Sequence, residues 1–447
     1  MSTICAISTA QGGAIGVVRV SGTQAIAIAD SIFKGRRRLT DVPAYSICHG
    51  QIMDGSAAID DVLVSIFLAP NSYTGEDSVE ISCHGSQYIL NKVVQLLIDN
   101  GCRQADPGEF TKRAFLNGKM DLSQAEAVAD LIASANKASH DIALSQLRGN
   151  FSTELATLRE QLLKIASLIE LELDFSEEDV SFADRTQLLA IATQIKERII
   201  TLLHSFSTGK ALKDGIPVVI VGKTNVGKST LLNRLLHDDK AIVSDVHGTT
   251  RDSIEDTTTI NGVTFRFIDT AGLRETDDIV ENIGIERTHQ KISQAQIVLW
   301  LIDSTPSDEE VEAMQTECQA KKLLMVFNKS DLQTSKPQDL KTLQPQYISA
   351  KFDKDLASLE EAIYDVADIP EINENSIIVT NTRHYEALTH SLKSIDALIE
   401  GLTTGIPTDL MAEDLRSTLH SLAEITGGEI TTNEILSSIF SHFCIGK

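Results

Sequence analysis

The stretch Gly222-Lys223-Thr224-Asn225-Val226-Gly227-Lys228-Ser229 fits the pattern G-x-x-x-x-G-K-[ST] at every fixed position, a spacing built to hold a phosphate chain. Glycines there let backbone N–H groups and the start of a following helix point at phosphate oxygens. Lys228 would neutralise the β- and γ-phosphates, and the Ser229 hydroxyl would take a place on magnesium. The apolar run Pro217–Val221 precedes the loop, and Thr230-Leu231-Leu232-Asn233-Arg234-Leu235-Leu236 follows it. That strand-before, helix-after context separates a phosphate loop from a Gly-rich turn. Asn225, Val226, Gly227, Lys228, Ser229 and Thr230 are thus expected to contact a nucleotide.

Four further segments, in chain order, point to guanine. Gly248-Thr249-Thr250-Arg251-Asp252 occupies the switch position between the loop helix and the next strand. Asp269-Thr270-Ala271-Gly272 ends the run Phe265–Ile268, where the Asp269 carboxylate can hold a magnesium water and the Gly272 N–H can sense the γ-phosphate. Asn328-Lys329-Ser330-Asp331 ends the run Leu323–Phe327. The Asp331 carboxylate can accept from guanine N1–H and N2–H₂, a pair of donors that adenine lacks. Ser349-Ala350-Lys351 offers a backbone contact to guanine O6. Each tetrapeptide is weak alone; five in order predict a GTPase domain.

Ras-like proteins place a glutamine directly after the D-x-x-G glycine to orient the attacking water, but Leu273 stands here. Glu281, in the acidic stretch Glu275–Glu281, could orient a water through one hydrogen bond, although acidic loop residues are usually just solvated. Arg251 and Arg274 are candidates for neutralising charge, or surface residues.

The rest of the chain must position this machinery. Its 447 residues suggest about three domains. A composition of 42% hydrophobic and 23% charged residues is ordinary globular material. The net charge of −24, from 39 Lys+Arg against 63 Asp+Glu, is opposite to that of a non-specific nucleic-acid binder. Any RNA contact must therefore be local or shared with a partner. Lys34-Gly35-Arg36-Arg37-Arg38 is the only dense basic run, and as sequence it reads as a solvated loop ahead of an RNA clamp. Six scattered cysteines without a C-x-x-C pair argue against a disulfide framework and a structural zinc site. Cys48-His49 and Cys83-His84 look like repeated ligand pairs, but neighbours on a strand face opposite ways, so packing explains them better. No apolar run approaches the roughly 20 residues of a membrane helix, and the start lacks a secretory pattern. A cytoplasmic protein with no membrane attachment is expected.

Short strand-like runs such as Ile15–Val20, Val62–Leu68 and Ser78–Ser82 alternate with helical stretches up to about residue 118. From Asp121 onward the texture turns helical, with Leu158, Leu162, Ile165, Leu168 and Leu171 at three and four spacing. It breaks at Lys213–Pro217 and resumes after about residue 371, with Tyr385, Leu388, Leu392, Ile395 and Leu398. The expected fold class is multidomain α/β: an N-terminal α+β domain (1–118), a discontinuous all-α helical domain (119–213 and 373–447), and an inserted P-loop GTPase domain of Ras-like α/β type (214–372). Two separate helical units remain an alternative at this level.

Family resemblance rests on Gly16–Gly22, Tyr73-Thr74-Gly75-Glu76-Asp77, Cys83-His84-Gly85, Pro107-Gly108-Glu109-Phe110-Thr111, Arg113–Lys119, Asp121–Ala127, Gly248–Asp252, Ile283–Arg287 and the terminal Phe443-Cys444-Ile445-Gly446-Lys447. Over essentially its whole length the chain resembles the MnmE (TrmE) family of tRNA modification GTPases. The resemblance implies a homodimer formed by the N-terminal domains, and a heterotetramer with an MnmG-type partner that carries FAD. It implies installation of an aminomethyl or carboxymethylaminomethyl group on C5 of the wobble uridine of certain tRNAs, with 5-formyl- or methylene-tetrahydrofolate as carbon donor. Positions matching the folate site are Arg19, Glu80, Lys119 and Lys447; a carboxylate suits the donor edge of a pterin, and cations suit a glutamate tail. Cys444 matches a candidate functional thiol, and a small packed side chain is the alternative.

By the same resemblance, potassium sits at Asn225 and at backbone oxygens of positions matching Ser244, Val246 and Thr249. Thr250 joins Ser229 on magnesium, and Glu281 matches a water-orienting glutamate. GTP hydrolysis would then be a conformational switch that gates the modification chemistry. The rival reading is a ribosome-assembly or regulatory GTPase that changes no bond in RNA. Such proteins usually carry a basic RNA-binding domain or a second phosphate loop, and this chain has neither signature.

Overall fold

In the computed structural model, residues 2–10, 12–174, 185–236, 256–268, 289–319, 321–332, 345–373, 376–404, 406, 408–428, 436, 439–441 and 443–446 are described. Contacts divide the chain into one unit of residues 1–132, 146–196 and 390–447, and another of residues 133–145 and 197–389.

The first unit opens with β1 (Ile4–Ile7), β2 (Ile15–Ser21), β3 (Phe33–Gly35), β4 (Ser46–Asp54), β5 (Ala57–Phe67), β6 (Ser78–His84) and β7 (Arg103–Gln104). They form one sheet in the order β3-β4-β5-β6-β2-β1-β7. Only the β1–β7 pair is parallel. Side chains alternate across the pleat. Val18, Val20, Val79 and Ile81 are fully buried and pack with Ala25, Ala29, Leu90, Val93 and Leu97 of the helices Ala25–Ile32 and Gln87–Asp99. Arg19 and Glu80 fall on the other face.

Helical segments from both ends of the chain meet in the same unit. The helix Thr408–Thr426 packs on the helix Asn150–Asp174, so helices from before and after the nucleotide domain share one core. The buried stripe of the earlier helix runs Leu155, Leu158, Leu162, Ile165 and Ile169. Leu168, expected in that stripe, is only half-buried, because a straight helix carries the three-and-four alternation to Ile169 instead. Leu171 lies among residues whose side chains are not described.

The second unit contains β8 (Ile216–Val221), β9 (Asp256–Ile260), β10 (Val263–Phe267), β11 (Ile297–Ile302), β12 (Lys322–Phe327) and β13 (Gln346–Tyr347). Their order is β13-β12-β11-β8-β10-β9, parallel except for the β9–β10 hairpin. Both faces are covered, which explains the unbroken apolar run of β11, buried at every position. Val218, Ile220, Leu299, Leu301 and Val326 join one core, while Val219, Val221, Val298, Trp300 and Phe327 join the other. Strand order reverses at β8, and ligands of such sheets bind beyond the carboxyl ends of the strands at that reversal.

Candidate nucleotide and folate sites

The phosphate loop leaves β8 at that reversal. Asn225 (φ +61°) and Gly227 (φ +100°) adopt the left-handed conformation that bends it. A Cβ on Gly222 would run into the carbonyl oxygen of Leu301 on the neighbouring strand, so glycine is required where the loop leaves the sheet. Gly227 caps the helix Lys228–Leu235, whose first turn aims its N–H groups back at the loop. Lys228 Nζ donates to the carbonyls of Gly222 at 2.9 Å and Lys223 at 2.8 Å, spanning the loop from inside. Ser229 and Thr230 are exposed beside it at the helix start.

Two other loops close around this one. Asn328 donates its side-chain N–H to the Val226 carbonyl at 2.8 Å and accepts from the Ala350 N–H at 3.0 Å. Lys329 Nζ donates to the Asn225 carbonyl at 2.8 Å and pairs with Asp303 at 2.7 Å. The Ser349 hydroxyl donates to Asp331. The structure therefore brings Asn225, Val226, Gly227, Lys228, Asn328, Lys329, Asp331, Ser349 and Ala350 to one end of the sheet. Arg234 holds the Lys351 carbonyl beside them at 3.2 Å. Asp303 was not anticipated; its only sequence signal is its place just past the carboxyl end of β11. Ser244, Val246, Thr249, Thr250, Arg251, Asp269, Thr270, Ala271, Gly272, Leu273, Arg274 and Glu281 lie outside the described residues.

The residues present fit a nucleotide with its cations. Ser229 offers a hydroxyl beside the lysine that meets the phosphates, which suits magnesium. The exposed Asn225 offers an uncharged oxygen on the phosphate loop, which suits a larger monovalent cation.

A second cluster forms in the first unit. Register pairs Arg19 with Glu80 across β2 and β6; Glu80 Oε1 accepts from Arg19 Nε at 2.9 Å and forms an ion pair with its terminal nitrogen at 2.8 Å. The Arg19 guanidinium also lies 5.1 Å from the Tyr73 ring centre and 5.6 Å from that of Phe110. Burial raises the Tyr73 phenol above its ordinary value, against the opposing hydrogen bond with Thr111. Lys119 does not touch Arg19; its Nζ donates to the Pro70 carbonyl at 3.0 Å, and its stem lies by Gly75 in the turn that follows Tyr73.

The chain's terminus arrives at the same sheet. Ser8 donates to the Gly446 carbonyl at 3.1 Å, and the Gly108 N–H donates to the Cys444 carbonyl at 3.3 Å. Since Ile7 pairs with Val18 and Ala6 with Arg19, the terminal segment lies within a strand or two of the Arg19–Glu80 pair. Cys444 is exposed, and Lys447 lies outside the described residues. Beneath the cluster, buried Arg113 pairs with Glu76 and Glu109, each at 2.9 Å, and donates to the Ser2 carbonyl. Tyr73, Phe110, Glu76, Glu109 and Arg113 are not singled out as site residues by the sequence, although all five stand inside the quoted family segments.

Among the described residues, no helix is long and apolar enough to cross a membrane. A family model described as "GTP-binding protein TrmE N-terminus" matches residues 3–119, and one described as "MnmE helical domain" matches residues 122–444. "tRNA modification GTPase MnmE" of Bacteroides thetaiotaomicron is 54% identical over 100% of this chain and 99% of its own length. The protein of the same name from Bacteroides fragilis is 54% identical at the same coverage. That of Flavobacterium johnsoniae is 50% identical, again over 100% of this chain and 99% of its own. With the family models and these full-length relatives in agreement, the chain belongs to the MnmE (TrmE) family of tRNA modification GTPases.

Proposed function

We propose that the chain is the GTP-hydrolysing subunit of a complex that adds an aminomethyl or carboxymethylaminomethyl group to C5 of the wobble uridine of certain tRNAs. The observation that carries this reading is the meeting of the Cys444–Gly446 end with the sheet that holds Arg19 and Glu80, in a full-length relative of tRNA modification GTPases.

In the nucleotide domain, Lys228 leaves the Gly222 and Lys223 carbonyls to meet the β- and γ-phosphates, while N–H groups of the helix start hold their oxygens. Ser229 and Thr250 hold magnesium; Asn225, with backbone oxygens at Ser244, Val246 and Thr249, holds potassium. These cations supply positive charge to the transferring phosphoryl group when bound. Asp331 reads guanine, Ala350 meets O6, and Glu281 orients the attacking water. Asp269 and Gly272 carry the presence of the γ-phosphate to the rest of the molecule.

In the first unit, Arg19, Glu80, Lys119 and Lys447 hold a 5-formyl- or methylene-tetrahydrofolate. Glu80 presents acceptors and the aromatic pair Tyr73 and Phe110 offers flat apolar surface, a combination that fits a pterin. Cys444 stands as a candidate thiol in the modification step. Two copies join through their N-terminal domains, and the outer-face residues Ile47 and Leu63, 69% and 48% exposed, support such an interface. An MnmG-type protein supplies FAD in a cytoplasmic heterotetramer. The domain boundaries 1–118, 119–213, 214–372 and 373–447 follow from the same reading.

The deciding experiment is mass spectrometry of tRNA nucleosides from cells lacking this protein, complemented with the intact chain or Cys444→Ser. Loss of C5-modified wobble uridine and its return with the intact chain is the expected result. Unchanged nucleosides would overturn the modification role and turn attention to ribosome assembly. GTP turnover compared in potassium and in sodium tests the cation; equal rates would remove it.

A further inference from the structure

Ion pairing of the arginines in residues 1–118 is selective. Four arginines there pair with carboxylates: Arg19 with Glu80, Arg38 with Asp30, Arg103 with Glu109, and Arg113 with Glu76 and Glu109. The other two, Arg36 and Arg37, are exposed and form no ion pair among the described residues, and neither does the nearby Lys34. In a chain of net charge −24, Lys34 at the end of β3 and Arg36 and Arg37 in the loop that follows are three unneutralised cations within four positions, against an excess of 63 Asp+Glu over 39 Lys+Arg in the whole chain.

The loop that bears them is built, and its geometry is defined. It leaves β3, the edge strand of the sheet, whose pairing with β4 stops at Gly35 opposite Gly50. The buried Asp30 then anchors the far side: one oxygen accepts from Arg38 Nε at 2.9 Å and the other from the Leu39 N–H at 2.6 Å. Arg38 is consumed in this anchor, and Arg36 and Arg37 are left to project past the end of the ladder. Between them and the uncovered part of β4 lies an open cavity of about 240 Å³ lined by Arg36, Arg37, Cys48 and His49. That is below the roughly 300–1,000 Å³ of a small-molecule site. It suits a single phosphate group of a longer chain that continues along the surface.

We propose that Lys34, Arg36 and Arg37, with the cavity over Cys48 and His49, form a docking site for the phosphate backbone of tRNA. The proposal rests on the tRNA-modifying reading above and names the surface that serves it. Phosphate contact by cations releases condensed counterions and is therefore salt-dependent. It gives affinity and orientation without reading sequence, which is the role open to an acidic protein that can approach RNA only through a local positive edge.

The test is binding of a labelled tRNA transcript to the full chain across a salt series. It compares the intact protein, the triple variant Lys34→Gln/Arg36→Gln/Arg37→Gln and the charge-keeping variant Arg36→Lys/Arg37→Lys. The triple variant should bind about tenfold more weakly at low salt, with a log–log salt slope shallower by about two to three. The charge-keeping variant should retain the slope, and GTP turnover should be unchanged in all three. Equal affinity and slope for the triple variant would overturn the proposal, as would failure of the intact chain to bind tRNA. Displacement of tRNA by polyglutamate at equal charge concentration would also overturn it, in favour of an acidic protein partner. Nucleoside analysis of cells carrying the triple variant reports on the modification role separately: normal modification with unaltered binding sinks this surface alone.

Discussion

The Ser349 hydroxyl donates to the Asp331 carboxylate at 2.5 Å, so the side chain that would read guanine is held by the loop that would touch its O6. Replacing Asp331 with Asn removes one acceptor and adds a donor, which mismatches guanine N1–H and N2–H₂ and matches the C2 carbonyl of xanthine. Asp331→Asn should lose GTP affinity and gain affinity for xanthosine triphosphate in a competition assay. Ser349→Ala leaves the carboxylate in place without its neighbour. It should weaken GTP binding by about fivefold, the worth of about 1 kcal/mol, and keep guanine over xanthine.

Lys228 spans the phosphate loop through the Gly222 and Lys223 carbonyls. These contacts hold the ammonium where the phosphates arrive, so its charge needs little reorganisation on binding. Lys228→Ala removes a charged hydrogen-bonding group worth about 1.5–3 kcal/mol, and GTP affinity measured by titration calorimetry should fall by about ten- to a hundredfold. Thermal stability of the unliganded protein should change far less, because the lost bonds join neighbouring carbonyls of one exposed loop.

The candidate nucleotide site was legible because its residues are local: each group of them follows directly on a strand end or opens the helix after it, and the apolar runs of β8, β11 and β12 announce those strands. The Arg19–Glu80 pair was legible only through resemblance. Those residues are 61 positions apart, and only the antiparallel register of β2 on β6 brings them opposite each other. Ser8 and Gly446, 438 positions apart, meet through tertiary packing that no periodicity encodes. Arg36 and Arg37 read as a solvated loop because sequence displays a charge run and hides which arginine a buried aspartate has already taken.

Arg19 meets Glu80 at one oxygen, Oε1, through the Nε hydrogen bond and the ion-pair contact of its terminal nitrogen, which leaves Oε2 for a ligand. If that oxygen receives the donor edge of a pterin, Glu80→Gln should abolish binding of 5-formyltetrahydrofolate, measured by equilibrium dialysis, while the GTP affinity of the same variant stays at its original value. Retained folate binding would remove Glu80 from the site.

Glu109 sets an acid limit on the first unit. Burial favours its neutral form, but hydrogen bonds from Arg103, the Asp106 N–H and Arg113 outweigh it and hold the carboxyl below the ordinary value of about 4.5. A depressed folded pKa contributes stability that is present above the unfolded value and is lost as pH falls through the folded one. The urea midpoint should therefore drop as pH is lowered below about 4.5. Glu109→Gln should start lower at neutral pH, because it leaves buried Arg113 short of a charge partner, and should show a shallower acid limb.

Thiol reactivity should separate the cysteines by burial, since the thiolate is the nucleophile. Burial pushes the Cys83 thiol up to about 12, with the Asp60 carboxylate adding to it, and pushes Cys318 up to about 11. Cys444 is exposed beside the sheet that carries Arg19. Brief alkylation with iodoacetamide at neutral pH, read by peptide mass spectrometry, should label Cys444 well before Cys83 or Cys318. Pre-incubation with a tetrahydrofolate should slow labelling at Cys444 if the folate lies against the terminal segment. Labelling of Cys83 at a comparable rate would mean that the core under β6, where Cys83 is buried with Val79 and Ile81, opens to solvent on the timescale of the reaction.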